Sequence, residues 1–88
     1  MTAYKKSAQQ VSCKIDGEIA ILHLDRAIYF GLQGAGGEIW DALEQPRSVG
    51  ELRDMLVAEF DVSPQQCEGD VVEILALLEK EGLVEAVA

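Results

Sequence analysis

The chain has 88 residues, 49% hydrophobic and 26% charged, with sixteen acids against seven bases for a formal charge of −9. That length builds one core rather than two, and the charge disfavours a nucleic-acid reader, which places Lys and Arg on phosphates, and anionic membranes. No stretch reaches the roughly 18 apolar residues that a membrane-spanning helix requires.

Residues 1–9 are polar, lack the apolar run of a secretory signal, and read as a flexible N-terminus to a single domain over residues 10–88. Val11–Ile15 and Glu18–Leu24 are apolar-rich segments joined by Asp16-Gly17. That pair tolerates the positive φ of a two-residue type I′ turn and predicts a hairpin. A second turn at Asp25-Arg26 leads into a third strand, Ala27 to Leu32. Within it Ile28, Phe30 and Leu32 alternate toward the core, while Ala27, Tyr29 and Gly31 face the other way.

After Gly37 the apolar period changes from two to 3.6. Ile39, Trp40 and Leu43 share one face of a short helix that ends before Gln45-Pro46. Ser48 and Glu51 have capping-box spacing and open a second helix over 48–60, with Val49, Leu52, Met55, Leu56 and Phe60 as its stripe. Ser63-Pro64-Gln65-Gln66 repeats the start signal. The third helix carries Cys67, Val71, Ile74, Leu75 and Leu78 on one side and stops at Gly82, after which Leu83 and Val84 fold back over the core. The predicted fold is α+β and winged-helix-like, a three-stranded antiparallel sheet followed by three helices, the last two forming a helix-turn-helix pair.

Chemical motifs are scarce. In Gly34-Ala35-Gly36-Gly37-Glu38-Ile39 an isoleucine stands where a dinucleotide fingerprint needs its third glycine, and no parallel strand follows. A phosphate loop would need Lys beside Ser or Thr, so the glycines read as a strand-to-helix turn. His23 is the only histidine, Cys13 and Cys67 form no Cys-x-x-Cys pair, and no metal or other cofactor site is expected. Two distant thiols suit a reducing, cytoplasmic compartment. Without a nucleophile, base and orienting group in one pattern, the chain is not expected to be an enzyme. An acyl carrier protein would show Asp-Ser-Leu at a helix start, where this chain has Arg47-Ser48-Val49 behind a β-rich first third.

Binding is the function class that remains. The third strand ends its meander, so one edge is open to an extended peptide. The third helix holds more apolar surface than one stripe requires: Val72 and Ala76 flank the core side and Leu77 lies on the opposite flank. A groove between strand and helix accounts for the excess; completion of the core accounts for it as well.

The run Tyr29-Phe30-Gly31-Leu32-Gln33, Gly34 and Gly37-Glu38-Ile39-Trp40 resembles the PqqD-like family, as do Ser48-Val49-Gly50-Glu51-Leu52, Glu59-Phe60-Asp61-Val62, Asp70-Val71 and Glu81-Gly82-Leu83-Val84. The resemblance covers about residues 11–85, with Gln33 where the family usually has Asn. It implies a non-catalytic recognition element that binds the leader segment of a ribosomally made precursor peptide. The leader is expected to add as a strand along Ala27, Ile28, Tyr29, Phe30, Gly31 and Leu32. Its side chains are expected beside Val71, Val72, Leu75, Ala76 and Glu79 of the third helix, with basic residues at Asp70 and Glu73. Which flank of that helix meets the strand stays open in the sequence. Within the family the chain is most similar to the stand-alone recognition proteins of lasso-peptide pathways, which deliver the precursor to a separate leader peptidase or modifying enzyme. A peptide chaperone for a radical-SAM enzyme and a winged-helix DNA-binding regulator are the alternatives. The expected protein is a monomer or an edge-paired dimer with no nucleic-acid or membrane partner.

Overall fold

The computed structural model describes residues 2–87. The chain order is β1 (Ala3–Lys6), β2 (Gln10–Ile15), β3 (Glu18–His23), β4 (Tyr29–Leu32), α1 (Ala35–Ala42), β5 (Arg47–Ser48), α2 (Val49–Glu59), α3 (Pro64–Lys80) and β6 (Val84–Val87). The predicted meander is present as the antiparallel sheet β2-β3-β4. Asp16 and Gly17, at φ 50° and 82°, make its first turn and bring Ile15 opposite Glu18. Both positive φ values match a type I′ turn, whose twist suits the flanking strands.

Three helices follow, as the signals predicted. Ser48 accepts from the Glu51 amide at 3.2 Å while Glu51 reaches back to the Ser48 amide at 3.0 Å. Ser63 caps α3 through the Gln66 amide at 3.2 Å. At the far end Gly82, at φ 76°, donates to the Glu79 carbonyl and Leu83 to the Leu78 carbonyl. These two bonds form a Schellman closure, which glycine enters without a Cβ penalty. α1 starts two residues before Gly37 because the glycines are packing residues. A Cβ on Gly36 would stand 3.4 Å from Leu32, and one on Gly37 would stand 3.6 Å from Ile19. The helix therefore lies close against the sheet.

The segment read as a flexible N-terminus is partly a strand. β1 lies between β5 and β6 in a second antiparallel sheet, pairing Ala3 with Ser48 and with Val87. Its four residues, AYKK, carry no alternation of their own, and both partners come from distant parts of the chain. Tyr4 packs on the core, and the Lys6 ammonium sits 4.8 Å from the Trp40 ring centre while pairing with Glu44. Such a cation over an indole face is favourable.

The core joins Ile19, Ile21 and Leu32 from the meander to Trp40, Leu52, Val71, Leu75, Leu78 and Leu83. Two positions of the predicted α2 stripe fall outside it: Met55 and Phe60 are exposed, while Leu52 and Leu56 are buried. A helix of 11 residues on a small core buries a narrow line rather than a broad face.

Candidate functional site

The register of the meander fixes the direction of every peptide group in β4. The His23 amide donates to the Ile28 carbonyl at 2.9 Å, and the Leu24 amide donates away from β4, to Gln9. Residues opposite each other in an antiparallel pair alternate between bonded and non-bonded. With Ile21 opposite Phe30 and Ile19 opposite Leu32, the peptide groups of Phe30 and Leu32 face β3. Those of Tyr29 and Gly31 face the other edge. Among the described residues, β4 has β3 as its one strand neighbour, so two N–H and two C=O groups point outward with no strand on them.

The strand is shorter than predicted. It begins at Tyr29, because Ala27 has φ 52° and bonds its amide to the His23 carbonyl, closing the loop after β3. Ala27 and Ile28 therefore lie in the turn rather than on a straight ladder. His23, buried at 7% exposure, shapes that turn: its Nδ1 accepts from the Asp25 and Arg26 amides, each at 3.2 Å. The alternation into the core is graded. Leu32 is buried, Ile28 and Phe30 are half-buried, and Tyr29 is 69% exposed.

α3 lies beside this edge and runs the opposite way. Gly82, at its end, borders His23 and Arg26, where β4 begins. Near its start, Asp70 and Ile74 border Ala35, three residues past the end of β4. At 100° per residue, the buried line Cys67-Val71-Leu75-Leu78 divides the helix into two flanks. Glu68, Val72, Ala76 and Glu79 lie on one flank, and Arg53 of α2 pairs with Glu68 there at 2.8 Å. Asp70, Glu73, Ile74 and Leu77 lie on the other. They line a hollow of about 300 Å³ with Ala35. A deeper one of about 240 Å³ continues from it past Asp70 and Ile74 to Ile39, Leu56, Phe60 and Val62.

The open side of α3 thus differs from the expected set. Val71 and Leu75, at 0% and 1% exposure, are core residues with no surface to offer. Val72, Ala76 and Glu79 are exposed on the flank that carries Glu68, away from that hollow. Asp70 and Glu73 do stand on the hollow. Ala35, Ile74 and Leu77 were missed as lining residues. Leu77, apolar and off the core stripe, was the one visible signal.

The trough is acidic at its rim and apolar within. Burial pushes the Cys67 thiol up, and the Asp70 carboxylate pushes it further, against the nearby Arg53. That thiol is an inert packing group. Among the described residues no cluster of His, Cys, Asp or Glu is arranged to hold a metal ion, and no helix is long and apolar enough to cross a membrane.

Residues 18–84 match the profile of the family described as coenzyme PQQ synthesis protein D (PqqD). No protein with a curated function matches the chain. One similar solved structure is TbiB1 in complex with the TbiA(beta) leader peptide, 37% identical, with a TM-score of 0.88 over 96% of this chain and 98% of that one. Another is a lasso peptide synthetase B1 complexed with the leader peptide, with a TM-score of 0.84 over 93% and 96% of the two chains. Its identity of 17% makes it a likeness of fold.

Proposed function

This chain belongs to the PqqD family, and from that premise we propose that it binds the leader segment of a ribosomally synthesised precursor peptide. One observation carries the reading: β4, whose Tyr29 and Gly31 peptide groups point outward, ends three residues before Ala35, which shares an apolar hollow with Ile74 and Leu77 of α3. A guest strand placed there makes main-chain bonds to β4, which give affinity, and sends alternate side chains toward Ile74 and Leu77, which give specificity. Asp70 and Glu73 on the rim receive basic leader residues. The 37% identity to TbiB1, described in complex with a leader peptide, supports this use of the fold, and the resemblance to stand-alone recognition proteins favours a lasso-peptide pathway over a radical-SAM one.

The protein acts in the cytoplasm without chemistry of its own. It holds the precursor and raises its local concentration at a separate leader peptidase or modifying enzyme. A DNA-binding role suits the winged-helix shape but not the charge: α3 carries four acids and one base. Titration of the purified chain with the fluorescein-labelled leader of its cognate precursor tests the proposal. Saturable binding with a 1:1 end point is expected. Absence of binding at tens of micromolar, with steeply salt-dependent retardation of duplex DNA in its place, overturns it.

A further inference from the structure

The first outward donor of β4 is aimed by a buried residue at the end of β3. A trans peptide unit is planar, with its C=O and N–H pointing in opposite directions. The His23 amide donates to the Ile28 carbonyl at 2.9 Å. That bond turns the Ile28 C=O toward β3 and so sends the Tyr29 N–H, in the same peptide unit, to the free edge. To make it the chain must double back over residues 24–27. The His23 carbonyl accepts from the Ala27 amide at 3.0 Å, and its Nδ1 accepts from the Asp25 and Arg26 amides, each at 3.2 Å. Within this turn Ala27 takes φ 52°. Alanine has no polar side chain to support that left-handed conformation, which persists only where the surroundings over-determine it. The imidazole is itself wedged in place. Its other edge lies against the bare Cα of Gly82, where a Cβ would stand 3.0 Å from Nε2 and 3.2 Å from Cδ2. One ring therefore joins the start of β4 to the end of α3.

We propose that His23 is a positioning residue of the leader site: its Nδ1 lone pair fixes the turn over residues 24–27, and that turn aims the Tyr29 N–H at the guest strand. The inference rests on the leader-binding reading and adds what pre-organises the edge. Chemistry selects the acceptor rather than the bulk of the ring. An Nδ1 that accepts from two N–H groups carries no proton of its own. Its bonds run to the amides two and three residues on, the pattern of an Asx turn with imidazole in the place of an asparagine amide. Without the acceptor, two part-buried amides lose their partner. The turn then gains freedom that the leader must remove again on binding, so the loss falls on affinity. A residue that only stabilised the fold would show in unfolding and leave the affinity of the folded chain unchanged.

Two variants divide the imidazole into its parts. His23→Phe keeps a ring against Gly82 and removes the acceptor. His23→Asn keeps an acceptor one bond from Cγ, where Nδ1 stands, and removes the outer ring. The labelled leader of the cognate precursor is titrated by anisotropy against the natural chain and both variants. Urea unfolding gives the folded fraction of each, and amide hydrogen exchange by NMR follows Asp25 and Arg26. His23→Phe is expected to bind at least about tenfold more weakly, the factor that one unmade hydrogen bond corresponds to, with faster exchange at both amides. His23→Asn is expected to keep its affinity within about threefold and to keep both amides protected, although the lost ring lowers its urea midpoint. Natural affinity in folded His23→Phe overturns the positioning role and leaves His23 a residue of stability alone. A tenfold loss in folded His23→Asn, with both amides still protected, overturns it as well, because the ring would then act through its bulk. Should His23→Phe fail to fold, the asparagine variant decides between the same two outcomes. Failure of the natural chain to bind the leader at all overturns the underlying function instead.

Discussion

Tyr29→Pro isolates the free edge from everything else that Tyr29 does. Proline removes the backbone N–H and places its ring where a neighbouring strand would lie. In most strands that breaks a ladder bond, but here the Tyr29 peptide groups face away from β3. An edge position of this kind tolerates proline, so the fold is expected to survive. The cost falls on the guest. One main-chain bond worth about 1 kcal/mol is lost, and a leader carbonyl is left desolvated without a donor, a further 1–3 kcal/mol. The sum, about 2–4 kcal/mol, corresponds to roughly 30- to 1,000-fold weaker binding. Tyr29→Ala is the necessary control, because it removes the exposed ring and keeps the N–H. Anisotropy with the labelled leader gives the affinities, and urea unfolding shows whether either variant is destabilised. The expected order is natural chain, then Tyr29→Ala, then Tyr29→Pro far below. Equal affinity for the alanine and proline variants, both folded, would place the leader somewhere other than along β4.

The two flanks of α3 separate in a paired test: Leu77→Lys is expected to weaken leader binding at least tenfold and Val72→Lys less than twofold, with near-natural stability for both because each side chain is about half exposed. The reverse order would put the guest on the Val72 flank. Phe30→Ala is expected to cost about 2–3 kcal/mol in urea unfolding, below the 3–5 kcal/mol of a fully buried phenylalanine, because Phe30 is half-buried. A loss above 4 kcal/mol would mean that its ring is core. Ser48→Ala removes the α2 cap and leaves the Glu51 amide without its acceptor. About 1 kcal/mol of stability is expected to go, read as a lower urea midpoint at unchanged slope; no change would mean that water replaces the hydroxyl.

Elements whose cause is local are legible in the residues alone. The Asp16-Gly17 turn, the Ser48 and Ser63 caps and the Gly82 stop each depend on residues within four positions, and all four are where their chemistry put them. Also legible is that β4 comes last in its meander, because short connections leave adjacent strands paired in order. Tertiary structure alone decided what depends on distant partners. β1 is a strand because β5 and β6 arrive on both sides of it, and four residues such as AYKK hold no record of that. The same holds for the open flank of α3. Periodicity reports which line is buried but is symmetric about it, and it is the tertiary packing that puts Leu77 rather than Val72 on the hollow beside Ala35.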